Sequence, residues 1–110
     1  MSRGRLSGDE VVQTLSALAS PHRLRVVAAL AGGRNYVSQL ARDLGMSRPL
    51  LQMHLQRLEV AGLVTSTLEL SDDGKAMKYY EVAPFDVRLT PAVIAAAAPT
   101  LSDKDKDEKK

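Results

Sequence analysis

Residues Tyr36 to Val64 read YVSQLARDLGMSRPLLQMHLQRLEVAGLV, and this stretch decides the fold. Val37, Leu40, Ala41 and Leu44 follow the i, i+3, i+4, i+7 spacing of one apolar helix face. Gly45 comes directly after them, where a residue free to adopt a left-handed conformation ends a helix. Ser47, two positions on, can cap a new helix by accepting a backbone N–H bond. Pro49 falls in the first turn of that helix, where its missing N–H costs nothing and its fixed φ is suitable. Leu51, Leu55 and Leu58 mark an inner face, and Gly62 releases the chain into a strand. Two helices joined by so few residues must cross steeply, so the pattern is a helix-turn-helix.

The second helix, expected over residues 47–60, leaves Arg48, Leu50, Gln52, Met53 and Gln56 outside, with Arg57 at the edge. A major groove accepts one helix, and side chains near its N-terminus reach base edges. Arg48 suits guanine and Gln52 adenine, while Gln56 can reach a base or a phosphate. Ser47 would hold a phosphate through its hydroxyl or the helix N-terminus that it caps, fixing register without reading sequence. Leu50 and Met53 can touch a thymine methyl. The expected DNA-facing set on this helix is therefore Ser47, Arg48, Pro49, Leu50, Gln52, Met53, His54 and Gln56.

Working outward, Asp9 to Leu18 reads as a first helix. Ser20 to Ala31 reads as a second, with Ser20 as cap, Pro21 at its first position, Gly32-Gly33 as its stop, and Leu24, Val27, Ala28 and Ala31 on its inner face. Downstream, Leu63 to Leu70 and Ala76 to Val82 are β-rich runs separated by Ser71-Asp72-Asp73-Gly74-Lys75, a polar turn with the Asp-Gly signal of a hairpin. This wing, with its tip over 71–78, carries Lys75 and Lys78, which would lie over the DNA backbone or minor groove and add salt-sensitive affinity. Phe85, Val87 and Leu89 alternate with Asp86 and Arg88, which predicts one more extended segment. Thr90 and Pro91 then cap and start a last helix through Ala98, ended by Pro99. The expected class is mostly α with a β-hairpin: a winged helix-turn-helix in the order helix, helix, helix, helix, strand, strand, helix.

The chain has 110 residues, 45% of them hydrophobic and 25% charged, which suits one soluble domain and leaves no room for a second catalytic one. That domain is expected over 1–101, with 102–110 as a charged, disordered tail whose four Lys and four acidic residues cancel. The net charge of +2 is weak support for a polyanion partner, but its location says more. Between Arg34 and Arg57 stand Arg34, Arg42, Arg48 and Arg57 against Asp43 alone. No apolar run would span a bilayer and no signal-peptide core is present, so the protein is expected in the cytoplasm. With no cysteine, disulfides, thiolate metal sites and thiol switches are excluded. No cofactor is expected.

The order of elements and the residues together resemble the ArsR/SmtB family of bacterial and archaeal regulators over roughly Leu15 to Val82. The resemblance rests on Ala17-Leu18-Ala19-Ser20-Pro21-His22-Arg23-Leu24-Arg25, on Ser47-Arg48-Pro49-Leu50-Leu51-Gln52-Met53-His54-Leu55, on Ala61-Gly62-Leu63-Val64 and on Tyr79-Tyr80. It implies a homodimer, built by the first and last helices, that binds operator DNA and usually represses transcription until a signal releases it. The chain departs from the family in sensing. Family metal sensors commonly place cysteines at the start of the third helix, where this chain has Tyr36, Val37 and Ser38. A second family site uses acids and histidines of the last helix, and Pro91 to Leu101 contains none. No metal is expected, and no residue pattern specifies an effector.

Other readings remain open at this level. His22 and His54 read first as packing or hydrogen-bonding residues, with phosphate contact as the second role for His54. Asp72 and Asp73 before a Gly read as turn chemistry rather than a cation site. Tyr79 and Tyr80 alternate, so one faces the core. The alanine-rich stretch 92–98 suits close helix approach in a dimer, which would also supply core that so short a chain lacks. A rival reading makes the outer helix face, with Leu50 and Met53, and the edge of the 85–89 segment a docking surface for a protein, with weak and sequence-blind DNA binding. An enzyme has no support, because there is no nucleophile triad, phosphate-cradling Gly loop or paired acids.

Overall fold

The computed structural model describes residues 6–102. Five helices and three strands follow in the order α1 (Gly8–Leu18), α2 (Pro21–Ala31), β1 (Asn35–Tyr36), α3 (Val37–Leu44), α4 (Arg48–Val60), β2 (Val64–Leu70), β3 (Ala76–Val82) and α5 (Pro91–Ala97), with a 3-10 turn over Ala98–Thr100. The sheet is antiparallel in the order β1-β3-β2. Among the described residues, backbone packing forms two compact units, residues 17–85 and, together, 6–16 with 86–102. The expected tail lies outside the described residues from position 103 onward.

The larger unit is organised around α4. Leu51, Leu55 and Leu58 are fully buried, and Val26 and Leu30 of α2, Leu40 and Ala41 of α3, Leu63, Val64 and Tyr80 join them in one core. Burying a Leu of this kind stabilises the fold by roughly 1.5–3 kcal/mol relative to exposure. Gly45 ends α3 at φ +66, and the backbone N–H of Met46 closes back on the Ala41 carbonyl at 3.0 Å. The Ser47 hydroxyl then accepts from the Leu50 amide at 3.3 Å and starts α4. The turn of the motif is thus made by one left-handed glycine and one serine cap.

The wing is β2 and β3 in register from Val64↔Val82 to Leu70↔Ala76. Its tip closes with Gly74 at φ +86, where the Ser71 amide donates to the Lys75 carbonyl at 2.8 Å and the Lys75 amide donates to the Ser71 hydroxyl at 3.1 Å. The Asp73 carboxylate accepts from the Ser71 hydroxyl and the Lys75 amide. Asp73 is thus part of the turn, and its carboxyl titrates below the usual range because the Ser71 hydroxyl bonds its charged form.

In the smaller unit the chain ends meet. Ser7 and Glu10 form a reciprocal capping box at the start of α1, the Ser7 amide donating to the Glu10 carboxylate at 2.8 Å and the Glu10 amide to the Ser7 hydroxyl at 3.1 Å. The Gly8 amide donates to the Thr100 hydroxyl at 2.6 Å, and the Ser102 amide donates to the Asp9 carboxylate at 3.0 Å. Glycine is required at position 8, since a Cβ there would stand 2.6 Å from Leu101 Cγ and 2.8 Å from the Ala97 carbonyl oxygen.

Four sequence expectations need correction. A third strand exists: Asn35 and Tyr36 pair with Tyr80 and Tyr79, a bridge too short to show as a period. Residues 85–89 form no strand, because alternation alone does not supply a partner for the ladder. The inner face of α2 is Val26 and Leu30, with Val27 partly buried against the same core as expected, while Leu24, 54% exposed, and Ala28 and Ala31 face outward; this helix is apolar on more than one side, and packing against α4 selects the face. The last helix ends at Ala97, and Pro99 sits inside the following 3-10 turn rather than stopping the chain's coiling.

Candidate nucleic-acid interface

Helix α4 owes its two-faced character to the offset of its leucines. Leu51, His54, Leu55 and Leu58 are its buried residues, and the opposite side carries Arg48, Pro49, Leu50, Gln52, Met53, Gln56 and Arg57, all exposed, with Ser47 exposed just ahead of it. Leu50 and Met53 are 38% and 40% exposed on this polar face. An apolar side chain left in water beside Arg and Gln makes a surface that can read both hydrogen-bonding edges and methyl groups. Seven of the eight helix residues singled out from the sequence therefore share one exposed stretch. Lys75 and Lys78 are exposed on the wing, and the Lys78 ammonium lies 5.5 Å from the Tyr80 ring centre.

His54 is the exception. It is 5% exposed and stands on the inner stripe, one turn from Leu51 and Leu58. Its ring lies 5.4 Å from the ring of His22, and Nδ1 faces Arg23 Nη1 at 3.3 Å. A guanidinium can only donate, so Nδ1 accepts and the neutral ring carries its proton on Nε2. That nitrogen is buried and has no hydrogen-bond partner among the described residues. Burial, and after it the charges of Arg23, His22 and Arg57, hold the His54 pKa below its usual value. His54 is thus a packing residue between α2 and α4, and the groove-facing placement does not hold. Arg23 also donates from Nε to the Ala17 carbonyl at 2.7 Å, so one side chain ties the end of α1 to α2 and α4.

The positive charge is distributed less freely than the sequence suggests. Arg34 grips Glu69 of β2 through both terminal nitrogens, at 2.6 and 3.1 Å, and lies 4.1 Å from the centre of the Tyr79 ring. Its charge is offset on the spot, which raises the Arg34 pKa and lowers that of Glu69. Sequence reasoning missed this group because its members, Arg34 just before β1, Glu69 of β2 and Tyr79 of β3, are far apart in sequence with no local pattern between them. It also missed the bond from the Ser66 hydroxyl to Glu59 at 3.0 Å, which joins the end of α4 to the root of the wing. Among the described residues no group of three or more His, Asp and Glu is placed to hold a metal ion, and no helix is long and apolar enough to cross a membrane.

Comparison with known proteins gives the same picture from outside the chain. Residues 20–66 match the model of the bacterial regulatory protein, arsR family. An uncharacterized HTH-type transcriptional regulator of Methanocaldococcus jannaschii is 34% identical over 69% of this chain and 79% of its own length. The HTH-type transcriptional regulator CmtR of Mycobacterium tuberculosis is 41% identical over 57% of this chain, a match that spans half of CmtR. Among solved structures, a homodimeric winged helix-turn-helix DNA-binding domain from Mycobacterium bovis superposes with a TM-score of 0.61 at 28% identity, over 92% of this chain and 82% of that one. The helix-turn-helix with its exposed α4 face, the hairpin behind it and these likenesses lead to one conclusion: the chain belongs to the ArsR family of winged helix-turn-helix, DNA-binding transcriptional regulators.

Proposed function

We propose that this chain is a sequence-specific repressor that works as a homodimer in the cytoplasm, laying α4 of each protomer in a major groove and the wing along the adjacent backbone. The observation that carries this reading is the exposed stretch Arg48, Leu50, Gln52, Met53 and Gln56 on a helix whose opposite face is fully buried. Arg48 addresses guanine, Gln52 adenine and Gln56 a base or a phosphate; Leu50 and Met53 meet thymine methyls. Ser47 and the helix N-terminus hold a phosphate, with Pro49 fixing the start of the helix. Lys75 and Lys78 supply wing contacts to phosphates.

Dimerisation is assigned to α1 and α5. Val12, Leu15 and Ile94 are 53%, 41% and 49% exposed in the unit formed by residues near the two chain ends, which leaves apolar side chains of both helices available for burial against a second copy. Two protomers related by a two-fold axis would address half-sites about one helical turn, roughly 34 Å, apart. Selection of duplexes from a random-sequence pool tests the reading: the enriched sequences should form an inverted repeat with that spacing. A pool that stays random after repeated rounds would contradict it and would favour a protein partner for the outer face of α4.

A further inference from the structure

The geometry points to Arg34, Glu69 and Tyr79 as a strap that fixes the wing against the helix-turn-helix and thereby positions the wing lysines on DNA; this rests on the proposed contact of Lys75 and Lys78 with phosphates. Arg34 immediately precedes β1, and β1 runs straight into α3, so the residue belongs to the frame of the helix-turn-helix. From there its side chain crosses over Tyr79 of the central strand, 4.1 Å from the ring centre, and reaches Glu69 on the far strand with two hydrogen bonds. Tyr36 of β1 meets the same ring edge-on at 5.8 Å, completing a layer that spans all three strands on one face.

The register explains why this layer matters. Glu69 pairs with Met77 and Thr67 with Tyr79, so the strap grips the wing about halfway from root to tip. Its root is tied separately by Glu59 and Ser66. Beyond the strap, Leu70 is 75% exposed and the bonds over Ser71 to Lys75 are internal to the turn. A two-stranded ribbon without a third strand is only marginally rigid. Lys75 lies beyond this grip and Lys78, opposite Leu68, lies directly beside it, so the position of both relative to α4 depends on the hold at Glu69. A bidentate guanidinium–carboxylate pair stacked on a ring fixes direction as well as distance, which a lysine in place of Arg34 could not do.

The opposite signs of the two charged partners provide a clean test. Removing the acid of Glu69→Gln makes the protein more positive, so a simple field effect predicts tighter DNA binding, whereas loss of the strap predicts weaker binding. Fluorescence anisotropy on a duplex selected from a random pool by the wild-type chain should show three- to tenfold weaker binding for both Glu69→Gln and Arg34→Gln. The salt slope should fall in both, and the exchanged pair Arg34→Glu with Glu69→Arg should return the affinity to within twofold. Unchanged or tighter binding by Glu69→Gln, with folding confirmed by circular dichroism, would overturn the strap. Lys75→Ala with Lys78→Ala, measured alongside, checks the underlying reading. If that variant binds as wild type, the wing contact itself is absent and the positioning role falls with it; if it binds weakly while Glu69→Gln does not, the strap alone is refuted.

Discussion

Arg48 occupies the first position of α4, and its place there works against the helix that carries it. A cation at a helix N-terminus opposes the macrodipole by a few tenths of a kcal/mol, typically 0.3–1 kcal/mol for such interactions, and α4 has no acidic residue in its first turn to offset it. Arg48→Ala should therefore leave the thermal midpoint unchanged or slightly raised while weakening operator binding by about 1–3 kcal/mol and relaxing one base position. Calorimetry and anisotropy on the same preparation would separate the two effects; a fall in stability with unchanged affinity would remove Arg48 from the reading set. His54 gives the opposite kind of residue, structural and sensitive to acid. Its folded pKa lies below the usual 6.5, from burial first and then from Arg23, His22 and Arg57, so the unfolded chain binds the proton more readily. This contribution is fully present above pH 6.5 and is lost as pH falls through that value toward the lowered folded pKa. The thermal midpoint should drop between pH 7.5 and 5.5. His54→Gln should be less stable at neutral pH yet show a flatter profile, and an equally steep profile in that variant would place the acid sensitivity elsewhere.

At the scale of elements, the turn between α3 and α4 rests on one glycine. Gly45 sits at φ +66 with open space where a Cβ would go, so Gly45→Ala has no clash to relieve and should cost roughly 1 kcal/mol through backbone strain alone. Urea denaturation would measure it, and a loss near zero would show that the turn adapts. The caps and faces of this motif were legible in the sequence because they are local: Ser47 bonds an amide three residues on, and Leu51, Leu55 and Leu58 repeat within one helix. His54 was legible as a packing residue, since it falls at the i+3 position of the same stripe, and only its second role, in the DNA-facing set, conflicts with its burial. The third strand was not legible, since Asn35 and Tyr36 are extended only by virtue of their pairing with β3. The charge of Arg34 was misjudged for the same reason, its partner Glu69 being brought to it by the sheet.

Across the whole molecule, the unit formed by the two chain ends depends on close contacts at its seam. Gly8→Ala would push a Cβ to 2.8 Å from a backbone carbonyl oxygen as well as into Leu101, a forced overpacking that should cost about 1–3 kcal/mol. If α1 and α5 form the dimer, that variant and Ile94→Glu should both shift the protein toward monomer in light scattering. Operator affinity should fall with it, because two linked half-site contacts become one; a dimer that survives Ile94→Glu would move the interface elsewhere. The central claim, that the outer face of α4 reads DNA sequence, is tested most directly by anisotropy titration of the wild-type protein against its selected inverted repeat and a scrambled duplex of equal length, from low to physiological salt. The account predicts a preference of at least several hundredfold for the repeat and a linear fall of log affinity with log salt concentration. Equal and feeble binding to both duplexes would contradict it.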